Sequence, residues 1–117
     1  MSCDTTLDPI PQGNSRGITV VISTKDGFVD ITDDDVNFMV KRNRDDADVD
    51  AAINITNSVG DHSDPVNGET IFRLGSTDTN ITQDNYYYEI THIASGGAVT
   101  TLIGGRVKII DTLKEPV

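Results

Sequence analysis

Carboxylates supply most of the groups in this sequence that could do chemistry. Asp30, Asp33, Asp34 and Asp35 fall in one stretch, and Asp45, Asp46, Asp48 and Asp50 in another soon after it. Calcium takes roughly six to eight oxygen ligands, and acidic loops between strands can provide them. The spacing departs from an EF-hand loop, with no central Gly and no Glu closing the run. Asp is also a common turn residue for conformational reasons. The expected reading is therefore a solvated acidic edge, with calcium held in these loops as the alternative. Paired carboxylates also serve glycoside hydrolysis, but the absence of Trp and the presence of only three Phe and three Tyr leave little for an aromatic sugar platform.

Two histidines, His62 and His92, complete the candidates for acid–base work. Nucleophilic catalysis needs a nucleophile, a base and a third group that orients the base. Ser58 and Ser63 are near His62 in sequence, yet no nucleophile-elbow motif accompanies them. Both histidines are expected to be ordinary surface residues. Gly96-Gly97 and Gly104-Gly105 are expected to be hairpin turns, because a phosphate cradle requires a loop entering a helix. Asn54-Ile55-Thr56 and Asn80-Ile81-Thr82 match the glycosylation acceptor pattern, but no secretion signal accompanies them. No catalytic, cofactor-binding or metal-ligating residue is assigned, no cofactor is expected, and the chain is not expected to be an enzyme.

The 117 residues suit one domain and bury roughly two-thirds of their unfolded surface, enough for a core without staples. Nineteen acidic residues against nine basic ones give a formal charge of -10. Such a surface repels phosphate backbones, so nucleic acid is not an expected partner. Cys3 is the only cysteine, which excludes an intrachain disulfide and a cysteine-rich zinc site. The N-terminal stretch lacks the basic start and apolar run of a signal peptide. No apolar run approaches the roughly 20 residues of a spanning helix, so no membrane partner is expected. Synthesis and folding in a cytoplasm are expected.

The elements that would position these groups are short strands. Residues 1–16, with Pro9, Pro11 and Gly13, are expected as an extended arm, mobile or laid on a neighbour. From residue 17 onward, apolar segments alternate with turn chemistry. The expected strands are 18–22, a second one with Val36, Phe38 and Val40 on one face, 51–57, 70–74, 86–93, 99–103 and 106–110. Asp64-Pro65 and Asn67-Gly68 mark turns. Helix signals are weak, since the Asp-rich run at 45–52 favours a loop. The expected fold is all-β, an immunoglobulin-like sandwich of about seven antiparallel strands spanning 17–111, with a C-terminal tail at 112–117. A closed small barrel is the alternative.

Residues 78–85, polar except Ile81, lead directly into Tyr86-Tyr87-Tyr88. That order suits a tyrosine corner, in which a Tyr hydroxyl reaches back to upstream backbone and fastens a crossover. Tyr86 is the candidate, although Tyr87 or Tyr88 could be the inward ring instead.

Three stretches then carry a resemblance: Asp34-Asp35-Val36-Asn37-Phe38-Met39-Val40-Lys41-Arg42, Asp64-Pro65-Val66-Asn67-Gly68-Glu69-Thr70-Ile71-Phe72-Arg73-Leu74, and Asn85-Tyr86-Tyr87-Tyr88-Glu89-Ile90. With the closing Gly104-Gly105-Arg106-Val107-Lys108-Ile109, this order resembles the immunoglobulin-like N-terminal domain of phage upper-baseplate and tail proteins. Where that family has a Leu-Thr-Gly-type turn, this chain has Ile31-Thr32-Asp33. The resemblance implies a free-standing, non-enzymatic virion protein, made in the host cytoplasm and attached to other virion proteins in the tail or baseplate, neck or capsid. A homo-oligomer in the assembled particle is compatible with it. The other functional expectation is a carbohydrate- or receptor-binding adhesin that uses the acidic loops, with or without calcium.

Overall fold

The computed structural model describes residues 3–6, 9–43, 45–82 and 84–110. It is all-β apart from short helical turns. The strands are β1 (Cys3–Thr6), β2 (Ile10–Pro11), β3 (Arg16–Val21), β4 (Ser23–Thr24), β5 (Gly27–Phe28), β6 (Asp35–Lys41), β7 (Ile53–Asn57), β8 (Glu69–Leu74), β9 (Asp84–Ile93) and β10 (Val99–Ile110). One helical turn, α1, spans Ser76–Thr79, and 3-10 turns lie at Asp48–Asp50 and Pro65–Asn67.

Alternation of side chains builds the core, because successive residues of a strand point to opposite faces. In β6, Val36, Phe38 and Val40 are buried, and in β8 Thr70, Phe72 and Leu74 are. In β9 the inward set is Tyr86, Tyr88 and Ile90, which leaves Tyr87 on the outer face. The main sheet runs in the order β1-β10-β9-β6-β7 and is curled and mixed, while β3 and β8 form a separate two-stranded ribbon. The ribbon packs on the sheet through its inward residues. The Phe72 ring centroid is 5.5 Å from that of Phe38, which is itself 6.1 Å from that of Tyr88.

Three expectations need correction. The sheet is not wholly antiparallel, because β1 and β2 both pair in parallel with β10. The stretch expected as an arm is extended where it is described, but Cys3–Thr6 and Ile10–Pro11 pair with this chain's own sheet. Ile10 enters the core at 1% exposure, and the Gln12 amide donates to the Ile110 carbonyl at 2.8 Å. Backbone pairing along β10 together with burial of one isoleucine is the physical reason, and a local polar count did not register it. Residues 1, 2, 7 and 8 of the expected arm, and the tail at 112–117, lie outside the described residues.

The third correction concerns Gly104-Gly105, which form no turn. They lie inside the 12-residue strand β10, opposite Glu89 and Tyr88. A side chain at Gly104 would put its first carbon 3.3 Å from the Tyr88 carbonyl oxygen, so glycine here serves a close approach between strands. The hairpin joining β9 to β10 turns at 95–97, where the Ala94 amide donates to Ala98 and the Gly97 amide to Ala94.

Candidate functional site

The polar side chains of interest meet where β6 begins and β9 ends. Asp34 immediately precedes β6, and its carboxylate accepts hydrogen bonds from His92 Nε2 at 2.7 Å and the Ser95 amide at 2.9 Å. Its main-chain carbonyl accepts from His62 Nε2 at 2.8 Å. His62 Nδ1 lies 3.0 Å from the Thr70 hydroxyl, to which Asn57 Nδ2 donates at 2.7 Å. A carbonyl only accepts, so Nε2 of His62 carries a proton. In the neutral ring Nδ1 then accepts from Thr70. Each group in this series has a partner: Asp34 is bonded directly to His62, His92 and Ser95, and through His62 to Thr70 and Asn57.

Burial acts to raise the Asp34 carboxyl, but hydrogen bonds from His92 and the Ser95 amide, with the His92 charge, outweigh it and hold the group below the usual carboxylate range. A carboxyl depressed by folding contributes stability that is fully present above its unfolded value, about pH 4, and lost as pH falls through its folded value. Asp34→Asn is expected to flatten that acid-side loss and to cost about 2 kcal/mol at neutral pH. Urea unfolding at a series of pH values checks both, and an unchanged acid-side slope would refute the role given to this carboxylate.

A hydroxyl, an imidazole and an aspartate follow one another here, as in a nucleophilic triad. The geometry does not do that chemistry. The hydroxyl belongs to Thr70, which has no exposure, and the group beyond the ring is a backbone carbonyl, not a carboxylate. Ser63 Oγ donates to Glu69 at 2.8 Å, and Ser58 is held through its amide by Asp61. Both serines expected near His62 thus sit in turn hydrogen bonds to other residues. The histidines are not plain surface residues, since each is fastened to Asp34.

The acidic loops are spread over several local tasks. Asp30 accepts from the Thr32 amide and hydroxyl, Asp46 from the Asn43 amide, and Asp48 pairs with Lys41 at 2.7 Å. Among the described residues, no three His, Cys, Asp or Glu side chains gather to hold a metal ion. At the opposite end of the sheet, Arg42 and Asp84 form a solvent-facing ion pair at 2.8 Å, and the Arg106 guanidinium sits 5.9 Å from the Tyr87 ring centre. Exposed pairs of this kind contribute little to stability.

Tyr86 donates its hydroxyl to the Thr82 carbonyl, four residues upstream, at 2.6 Å. Burial pushes the phenol above its ordinary range, so it stays a donor. Tyr86→Phe removes the bond with almost no change of shape and is expected to lower the unfolding free energy by about 1 kcal/mol. An unchanged value in urea titration would remove the fastening role from this hydroxyl.

No family model matches this chain, and no curated protein or solved structure matches it either. Sequence reasoning singled out Asp34, His62 and His92 without relating them. They are 28 and 58 residues apart from Asp34, and no periodicity links positions on three different segments. Asn57, whose amide also donates to the Ile71 carbonyl at 2.9 Å, was read only as the end of a strand.

Proposed function

We propose that this chain is a non-enzymatic structural protein of a phage particle, attached to other virion proteins through the margins of an immunoglobulin-like sandwich. The observation that carries the reading is the strand order. β10, β9, β6 and β7 lie side by side with the N-terminal strands parallel to β10, and β3 and β8 pair across from them. An immunoglobulin-like arrangement assigns β3 and β8 to one sheet and β6, β9 and β10 to the other, with a Tyr near the start of the β9 position bonding upstream backbone. Tyr86 makes that bond. The residues that carry the resemblance fall on β6, on the turn before β8 and β8 itself, on β9, and on the end of β10.

Support also comes from the chemistry. The histidines and Asp34 are spent on holding loops together, which leaves sheet edges and outer faces as the means of contact. No helix among the described residues is long and apolar enough to cross a membrane. The test is mass spectrometry of purified phage particles, followed by image reconstruction. The polypeptide is expected at a fixed copy number, seated against other virion proteins. Infectious particles that lack it would overturn the proposal.

A further inference from the structure

We infer that the free edge of β3 is a docking site for one extended, alternately apolar, Lys- or Arg-bearing segment of another protein, added as a further strand. This inference rests on the attachment role proposed above and names its surface. Among the described residues β3 pairs only with β8. Along residues 17–21 its other edge therefore presents backbone donors and acceptors of the kind a further strand satisfies. Edge strands that avoid such pairing carry Lys, Pro or a bulge, and Gly17-Ile18-Thr19-Val20-Val21 carries none of these. The other margin of the ribbon differs, because the Asn57 amide reaches across to the Ile71 carbonyl of β8 at 2.9 Å.

An apolar hollow runs beside the open edge, between ribbon and sheet. Ile18, Val20 and Ile22 line one side, and Ile90, Leu102 and Ile103 the other. Leu102 and Ile103 are consecutive, yet both reach the hollow because the register of β10 against β9 shifts at this point. Ile18, Val20, Leu102 and Ile103 are only partly buried, unlike Ile22 and Ile90 beside them. A strand laid on β3 would place every second side chain into this hollow, which fixes the alternation expected of the partner.

Charge fixes the rest. The chain carries a formal charge of -10. The end at which β3 stops lies beside Glu69, which pairs with Asp64, and beside the 29–31 backbone that carries Asp30, while Arg16 and Arg73 sit at the opposite end of the ribbon. Complementarity therefore calls for Lys or Arg on the partner segment, which also speeds encounter and disfavours a second copy of this acidic chain.

The probe is a short synthetic peptide that alternates Val and Thr and ends in two Lys, compared with the same peptide ending in two Glu and with one interrupted by Pro. The Lys-ended peptide is expected to bind at least about tenfold more tightly than the Glu-ended one. Binding should slow amide exchange along residues 17–21 of β3, and the Pro-interrupted peptide should not bind. Leu102→Arg, at a partly exposed position, should weaken binding by about tenfold or more, while Met39→Arg on β6 should leave it unchanged. The thermal midpoint of each variant verifies folding.

No binding of the Lys-ended peptide at millimolar concentration, protection confined to another edge, or equal binding by both charge versions would overturn the inference. So would self-association of the free protein through β3. If the peptide binds but particles lack the protein, the surface stands and the virion role fails. If particles contain the protein and the peptide does not bind, attachment uses another margin.

Discussion

Phe72→Ala is expected to lower the unfolding free energy by about 3–5 kcal/mol, a large share of the roughly 5–15 kcal/mol that holds a domain together. Phe72 has no exposure, and its ring lies 5.5 Å from that of Phe38. Its importance comes from the architecture. The β3–β8 ribbon has only two strands, and a pair of strands is at best marginally stable without a surface to pack on. The fully buried part of its contact with the main sheet is one inward row, in which Thr70 and Leu74 flank Phe72, beside the partly buried Ile18 and Val20. Removing the ring leaves a cavity at the centre of that contact and also strips the aromatic packing from Phe38. Urea unfolding gives the magnitude, and amide exchange along β3 and β8 shows whether the ribbon is released first. A loss under about 1 kcal/mol would mean that the ribbon is held by something other than this row.

Gly68→Ala is expected to cost at least about 2–3 kcal/mol, well above the effect of the same change at Gly60. Both glycines have positive φ, 76° at Gly68 and 91° at Gly60. The difference is space. A methyl group at Gly60 meets nothing within 4 Å, so its cost is the backbone strain alone, about 1–2 kcal/mol. At Gly68 the added carbon would sit 2.8 Å from the Val29 carbonyl oxygen and closer still to that of Ile22. Neither oxygen can rotate away as a side chain would. The Ile22 carbonyl accepts the Val29 amide at 3.0 Å, and the Ile22 amide donates to Gly68 itself at 2.9 Å. The substitution should therefore displace the β4–β5 hairpin and loosen Ile22 and Ile31, both buried. Comparison of the two variants by thermal unfolding separates strain from collision. Equal losses would show that the collision is relieved without cost.

Strand positions were legible wherever apolar and polar residues alternate over several positions. Val36, Phe38 and Val40 face one way in β6, and Thr70, Phe72 and Leu74 do the same in β8. The turn at Asp64-Pro65 through Asn67-Gly68 was legible too, because proline and glycine limit the backbone locally. Ile10 was not. A single isoleucine between two prolines carries no period, and its burial depends on β10, about a hundred residues later in the chain. Gly104-Gly105 misled for a related reason: two glycines suit a turn, and only the opposing Glu89 and Tyr88 of β9 keep them extended.

The candidate site divides in the same way. Acidic and histidine residues are visible as types, and the departure from EF-hand spacing already argued against one kind of calcium loop. Their meeting at Asp34 is a property of three segments brought together by strand order. Which edges are closed and which stay open is also set at that level, since Asn57 closes one margin of the ribbon from a different strand. By itself, then, the sequence determined which stretches extend and which face of each is apolar, because side-chain alternation and turn preferences act between neighbours. Only the tertiary structure decided pairing, the fate of the N-terminal stretch and the partners of Asp34, because those rest on contacts between residues far apart in the chain.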